Sequence, residues 1–395
     1  MNARAAAFSP RILKTSSFTP LAQMHVHISG PNTRIAPMER RNTAVSDMIL
    51  PTGSKTGERL HVCVGPTCNN NCIFCMEEDR EARKERILAQ TEEDVRRMML
   101  AANPRGGEVM FTSGEPTMNP KLVAYIAMAR ALGFATIGLI TNGRRLSYRP
   151  YARSLLANGL NHVLVSIHGP DARTHDALTR TRGAFEQAVA GLANLRDLRG
   201  EFPGLKVHTS YVVNRRNYKL FRQFYDAMTP YEVDQHVFNV IMPEGRARRL
   251  FDALVPRYSD VAREFGDFVR GLPEEGVAKV FLLDIPYCVT EGLPDRVRGY
   301  VERYYHFEPD GTAVMPSSPE TDPELYVASA LSGDKAQYAK VTKSLHDAAV
   351  RAKRPECFNC GFNHYCRGVF RIYLEHYGWG EFEPVRRPTP QVEAR

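Results

Sequence analysis

The chain has 395 residues, 43% hydrophobic and 24% charged, a balance that supports a sizeable core and excludes a disordered or collagen-like chain. Its 52 Lys and Arg against 44 Asp and Glu leave a formal charge of +8, which raises an acidic partner such as nucleic acid as a possibility. No dense basic block with interleaved aromatics accompanies that charge; Arg144-Arg145 and Arg246-Ala247-Arg248-Arg249 are the densest clusters, and both are short.

No apolar stretch approaches the roughly 18 residues that a membrane-spanning helix needs. The Ala5–Phe8 patch near the start is too short for a signal-peptide core. Eight cysteines in motif-like groups then read as metal ligands in a reducing cytoplasm rather than as disulfides.

Residues 1–58 are rich in Pro, Ser, Thr, Asn and Arg without sustained periodicity, and read as a loosely structured arm. From there short apolar runs alternate with amphipathic stretches. The runs are Leu60–Val64, Val109–Thr112, Ala135–Thr141, His162–Ile167, Leu205–Val213 and Gln235–Met242. Between them lie helical patterns such as Leu122–Leu132, stopped by Gly133, and Phe185–Leu198, stopped by Gly200. Strands alternating with helices predict βαβ units and a parallel sheet, an α/β fold. In Leu60–Gly65, His61 and Cys63 share one strand face; in His162–His168, so do His162, Ser166 and His168. If the apolar faces meet the outer helices, Cys63 and His168 look inward. Cys63 then reads either as a buried small hydrophobe or as a donor of a hydrogen atom or thiol.

Past Pro243 the pattern changes. A helix is expected around Arg249–Arg270, then an apolar run, Val280–Ile285, leading to Cys288. Tyr300–Phe307 and Ala313–Met315, joined through Asp310-Gly311, read as a hairpin. Polar helical segments are expected over 323–350, followed by Cys357, Cys360 and Cys366. The expected division is an arm (1–58), a core (59–245) and a C-terminal domain (246–395).

Chemistry concentrates in Cys68-Asn69-Asn70-Asn71-Cys72-Ile73-Phe74-Cys75. Thiolates select iron–sulfur clusters, zinc or Cu(I). A structural zinc site needs a fourth ligand, for which Cys63 or His61 are candidates. A cubane cluster held by three cysteines keeps one iron open for a substrate. Three further motifs each end an apolar run: Ser113-Gly114-Glu115-Pro116, Thr141-Asn142-Gly143 and Ser166-Ile167-His168-Gly169. In barrels built of βα units the active site sits at such strand ends.

The C-x3-C-x2-C spacing, with Phe74 before the last cysteine, resembles the radical S-adenosylmethionine (radical SAM) superfamily over roughly residues 59–243. Ser113–Pro116 resembles that family's "GGEP" motif with serine in place of the first glycine. The resemblance implies a partial (β/α)6 TIM-type barrel. It implies a [4Fe–4S] cluster on Cys68, Cys72 and Cys75 whose open iron chelates S-adenosylmethionine. Reductive cleavage there yields a 5′-deoxyadenosyl radical that takes a hydrogen atom from a substrate. It further implies that Phe74, Gly114, Glu115, Asn142, Ser166 and Arg180 line the cofactor. A carboxylate at Glu115 would pair the ammonium; a guanidinium at Arg180, with Arg182 as rival, would grip the methionyl carboxylate. An electron donor such as flavodoxin or ferredoxin is implied.

Cys357-x2-Cys360-x5-Cys366 resembles the core of the SPASM domain or its shorter twitch relative. With Cys288 it implies one auxiliary [4Fe–4S] cluster, the alternative being zinc on the same four thiolates. The expected function is hydrogen abstraction from a peptide, as in ribosomal peptide maturation, or from a small metabolite. Modification of nucleic acid, or a non-catalytic iron–sulfur or zinc sensor or scaffold, stand as alternatives. No membrane partner is expected.

Overall fold

The computed structural model describes residues 59–77, 80–101, 106–293, 298–299, 306–307, 312–316, 338–342, 349–363 and 366–386. All of these belong to one compact unit, Thr43–Arg395. The arm read from residues 1–58 lies outside the described residues.

The core is a parallel sheet with helices in the crossovers. In chain order it runs β1 (Arg59–Cys63), α1 (Arg80–Ala89), α2 (Glu92–Ala101), β2 (Glu108–Thr112), α3 (Leu122–Leu132), β3 (Thr136–Thr141), α4 (Arg149–Ala157) and β4 (His162–Ser166). It continues with α5 (Ala172–Thr179), α6 (Ala184–Leu198), β5 (Lys206–Val213), α7 (Phe221–Met228) and β6 (Gln235–Val240). Then come α8 (Arg246–Arg249), α9 (Phe251–Leu254), α10 (Tyr258–Arg270), α11 (Glu274–Val277) and β7 (Val280–Leu283). Spatial order equals chain order from β1 to β7, with the two-residue β8 (Arg298–Gly299) beside β7.

The register sorts the two faces. Leu60 pairs Val109, Leu139 pairs Val163, and Tyr211 pairs Phe238. These residues belong to the large core under the helices. The opposite face carries a separate small cluster of Leu164, Val237, Phe281 and Leu283, with Ile140 against it. Strand parity therefore puts Cys63, Ser166, Ser210 and Asn239 on this inner face. On the outer face Tyr211, Phe221, Phe224, Phe238 and Phe265 meet largely edge to face, with centroids 4.6 Å apart for Tyr211–Phe224 and 5.7 Å for Phe238–Phe265.

Three sequence expectations change. Six βα units were expected, but Val280–Leu283 is a seventh parallel strand, with Val237 opposite Phe281 and Phe238 opposite Leu282. The sheet thus runs on past residue 245. The single helix expected at Arg249–Arg270 is three: Leu250 (φ −108°, ψ 30°) separates α8 from α9, and Pro256, which lacks an amide hydrogen, holds Val255 extended (φ −92°, ψ 110°) between α9 and α10. Gly133, at φ 93°, caps α3 as expected, whereas α6 ends on Arg199 in a right-handed helical conformation, without help from Gly200.

Beyond β7 the expected hairpin appears as β9 (His306–Phe307) antiparallel to β10 (Thr312–Pro316), its turn lying outside the described residues. Within 323–350, where helix was expected, β11 (Tyr338–Thr342) is a strand antiparallel to β10. The chain closes with β12 (Arg351–Ala352), β13 (Val369–Phe370) and α12 (Arg371–Tyr377). Helix α12 docks on α9 and α10: Tyr373 stacks on Tyr258 at 4.1 Å, and the Tyr258 amide donates to the Tyr373 hydroxyl at 2.8 Å. Phe251 stacks on His376 at 3.9 Å.

Phe238 is fully buried at the centre of the aromatic cluster. Phe238→Ala should cost about 3–5 kcal/mol in urea unfolding; a loss under 1 kcal/mol would mean that the site collapses freely.

Burial holds two core histidines neutral. It lowers His236 to about 3 and His175 to about 4. The His175 Nδ1 also accepts the His168 amide at 3.0 Å, so protonation there breaks a bond. Below about pH 6.5 the unfolded chain takes up protons that the folded chain refuses. Stability should therefore fall as pH drops from 6.5 towards 4, by about 1.4 kcal/mol per pH unit for each such histidine. Urea midpoints measured across that range test this, with His236→Gln expected to give a shallower slope.

Candidate active site

The segment from Val64 to Glu77, which follows β1, contains no helix or strand. Its backbone polar groups are met by neighbouring strand and helix ends. The Asn71 and Ile73 amides donate to the carbonyls of Thr179 and Leu178 at the end of α5, both at 2.9 Å. The Glu115 amide donates to the Thr67 carbonyl at 2.8 Å, and Asn119 Nδ2 to the Val64 carbonyl at 2.7 Å. The Gly114 amide donates to the Glu77 carboxylate at 2.8 Å. Gly65 is required here, because a Cβ would lie 2.0 Å from the Ser113 carbonyl oxygen. Phe74 is buried edge-on against His168 at 4.8 Å.

The three cysteines of this loop are half-buried and reduced. Burial, followed by its neighbours Cys75 and Cys68, pushes the Cys72 thiol well above its ordinary range, while Arg80 pulls it down. The three sulfurs therefore share one locale, as three ligands of one cluster must. Among the described residues no three His, Cys, Asp or Glu side chains converge as ligands of a single ion. A cubane spreads its thiolates over separate irons and does not need that convergence. The soft donor set fits an iron–sulfur cluster.

The adjacent turn is strained and tightly bonded. Ser113 sits at φ 71° and Gly114 at φ 50°, so serine occupies a conformation that favours glycine. The Ser113 hydroxyl is buried without a hydrogen-bond partner. The Glu115 carboxylate, expected from sequence to face an ammonium, is wholly buried and committed inside the chain. It accepts from the Thr117 amide (3.1 Å), the Thr117 and Thr141 hydroxyls (each 2.6 Å) and the Asn142 amide (2.7 Å). Burial raises its pKa against the pull of those bonds. Glu115 thus ties the end of β2 to the end of β3.

Asn142 links the same turn to the cysteine loop, its Nδ2 donating to Asn69 Oδ1 at 2.6 Å. Ser166 is half-buried at the end of β4, and Cys63 is buried at the end of β1. His168 is structural: its Nδ1 accepts the Val212 amide at 3.2 Å, and its carbonyl accepts from Asn217 Nδ2 at 3.0 Å. Arg180 is exposed at φ 49°, directly after the Thr179 that anchors the loop; Arg182 is exposed as well.

Three residues that sequence reading passed over hold the Asn69–Cys72 segment. Arg80 donates to the Asn70 carbonyl at 3.2 Å and to Asn71 Oδ1 at 2.9 Å. Arg144 reaches the Asn69 carbonyl and Asn70 Oδ1. Arg246 donates to Asn71 Oδ1 at 2.7 Å and to the Cys72 carbonyl at 2.9 Å. The signal in the sequence was the run of three asparagines, each offering a side-chain carbonyl.

The structure also brings the second cysteine group together. Cys288 lies in a turn just after β7, Cys357 in the turn Pro355–Asn359, and Cys360 and Cys366 follow. A cavity of about 30 Å³ is lined by all four. Burial, then Cys366, Cys360 and Cys357, push the Cys288 thiol up to about 12. Tyr287 stacks on Phe362 at 4.7 Å beside them. Four cysteines lining one cavity offer the soft donors that a cluster or a zinc ion would need.

A family model, the Radical SAM superfamily, matches residues 62–228. The AdoMet-dependent heme synthase of Nitratidesulfovibrio vulgaris is 29% identical over 231 residues, 57% of this chain and 60% of that protein. The Fe-coproporphyrin III synthase of Methanosarcina barkeri is 28% identical over 183 residues, 46% of this chain and 44% of that protein. The chain therefore spans three fifths or less of the length of these relatives. Streptococcus suis SuiB bound to precursor peptide SuiA shares the fold, with TM-score 0.53 and 14% identity over 85% of this chain and 76% of that one. The three-cysteine loop, the Ser113–Glu115 turn, Asn142, Ser166 and Arg180 all fall inside the matched span, and residues 62–228 are a Radical SAM superfamily domain.

Proposed function

We propose that the protein is an enzyme that cleaves S-adenosylmethionine reductively and abstracts a hydrogen atom from a peptide or a small metabolite. The observation that carries this reading is the grouping of Cys68, Cys72 and Cys75 beside the Ser113–Glu115 turn at the ends of parallel strands. When bound, a [4Fe–4S] cluster on these thiolates supplies the electron that breaks a C–S bond of S-adenosylmethionine and releases a 5′-deoxyadenosyl radical.

The chain's own residues then have separable tasks. Glu115, already bonded internally, shapes the turn so that Ser113 and Gly114 offer backbone groups to the methionyl amine. Arg180 takes the methionyl carboxylate. Asn142 and Ser166 flank the nucleoside, and Phe74 braces the loop from behind. A substrate over the inner face would meet Cys63, a candidate hydrogen donor. It would also meet Asn239, whose Nδ2 donates to Ser210 Oγ at 2.9 Å and whose Oδ1 is buried without a partner. Cys288, Cys357, Cys360 and Cys366 hold an auxiliary [4Fe–4S] cluster in a SPASM- or twitch-like domain spanning 246–395. Such a cluster would supply an electron acceptor, or a docking point for the substrate, beside the inner face. Flavodoxin or ferredoxin in the cytoplasm would deliver the first electron.

The names of the two curated relatives favour an iron porphyrin within the small-metabolite class, and that of SuiB favours a peptide. The test is anaerobic incubation with dithionite and S-adenosylmethionine, following 5′-deoxyadenosine with and without iron-coproporphyrin or a candidate precursor peptide. No 5′-deoxyadenosine under any condition would defeat the reading.

Two variants sharpen it. Replacing Cys68, Cys72 and Cys75 by alanine should abolish the cleavage and lower bound iron from about eight to about four atoms per chain. Four irons in the unaltered protein would remove the auxiliary cluster. Arg180→Ala should weaken S-adenosylmethionine binding about ten- to a hundredfold, since a charge-assisted hydrogen bond is worth roughly 1.5–3 kcal/mol. Arg182→Ala should leave that affinity unchanged; the reverse pattern would shift the role by two residues.

A further inference from the structure

Three guanidiniums surround the Asn69–Cys72 segment, and their hydrogen-bond partners among the described residues are all neutral. Arg80 meets a carbonyl and an amide oxygen. Arg144 meets the same kinds of group and, through Nε, the amide oxygen of Gln187 at 2.6 Å. Arg246 meets two carbonyls and an amide oxygen. Among the described residues no carboxylate pairs with any of the three. They come from the start of α1, the turn after β3 and the start of α8, so the fold gathers them from three separate places. Arg246 is held there by Gly245, at φ 56°, where a Cβ would lie 2.6 Å from the Met76 carbonyl oxygen and 2.7 Å from that of Cys75.

A neutral loop needs hydrogen-bond donors, and asparagine or glutamine would supply them. It does not need three half-buried positive charges that no carboxylate among the described residues pairs. A cubane held by three thiolates is anionic, and one-electron reduction adds a further negative charge. Fixed cations beside it favour the reduced state, by the same electrostatics that tune other iron–sulfur centres. We propose that Arg80, Arg144 and Arg246 are positioning residues that form a cationic cradle and raise the reduction potential of the three-cysteine cluster. This rests on the reading of that loop as a cluster site. The step is a single electron passing from a low-potential donor, which is oxidised, to the cluster, which is reduced.

Gln187→Glu isolates charge from geometry. Gln187 is exposed, and its amide oxygen already accepts from Arg144 Nε. A carboxylate of the same shape keeps that bond and leaves every loop contact in place, while it neutralises the Arg144 charge. A reductive titration of the reconstituted protein, followed by electron paramagnetic resonance, reads the midpoint. The signal to follow is the one missing from the Cys68→Ala/Cys72→Ala/Cys75→Ala protein. Gln187→Glu should lower the ratio of reduced to oxidised cluster about threefold at a fixed poise, about 30 mV for a one-electron couple. Arg246→Gln should lower it about tenfold, or 59 mV, and Arg246→Lys should restore most of the loss. Midpoints unchanged in both Gln187→Glu and Arg246→Gln would show that the arginines only brace the loop. If Arg246→Gln fails to take up iron, Gln187→Glu still decides. Absence of any signal that depends on the three cysteines would overturn the cluster reading itself rather than the cradle.

Discussion

The peptide groups between Val64 and Glu77 belong to no helix or strand, yet the segment is buried or half-buried throughout, so its polar groups need partners from the protein. Their partners must be supplied by other elements, and the site is organised around that requirement. The end of α5 supplies carbonyls, the turn after β2 supplies amides, and three arginines satisfy the carbonyls of the asparagines. The same requirement explains the local strain. Close approach of two backbones excludes a side chain at Gly65. Nearby, Ser113 and Arg180 sit at positive φ, which residues other than glycine rarely adopt. Such conformations persist only where surrounding contacts over-determine them, and here they ring a single loop.

The buried Glu115 carboxylate is the second fastening. A charge with no water needs several donors, and Glu115 receives four from two neighbouring strand ends. The ends of β2 and β3 are thereby fixed to each other, and through Asn142 to Asn69 in the cysteine loop. Thiol geometry, turn conformation and strand register thus form one connected unit. The second cysteine group is attached to the same scaffold by different means. Cys288 follows directly on β7, whereas Cys357, Cys360 and Cys366 lie on the segment that the Tyr258–Tyr373 stack holds against α10.

Much of this was legible in the sequence because it is local. Alternating apolar runs and helical patterns located six of the seven strands, and period-two parity placed Cys63 and Ser166 on the inner face. The three-cysteine spacing and the motif at each strand end are each a few residues long, and their shared place at strand ends let them be read as one site. The seventh strand was visible as the apolar run Val280–Ile285 but not assigned to the sheet, because a long connection broken by Pro256 separates it from β6 and the alternation of strand and helix lapses there. Its place is decided by the edge of β6, which offers a ladder of partners that only the assembled sheet presents.

Residue types, spacing and strand periodicity, all set within short windows of chain, determined the α/β class, the cysteine motifs and the end of the sheet where the first of them stands. What each side chain faces was decided by tertiary structure. Glu115 carries the carboxylate that the motif suggests, but the donors that occupy it come from strand ends up to 27 residues away. Arg246 looked like part of a solvated basic run, yet it reaches a loop 174 residues earlier and completes the bonding of Cys72. Hydrogen bonding and burial depend on which groups the fold brings within about 3 Å, and no local pattern in the chain encodes that proximity.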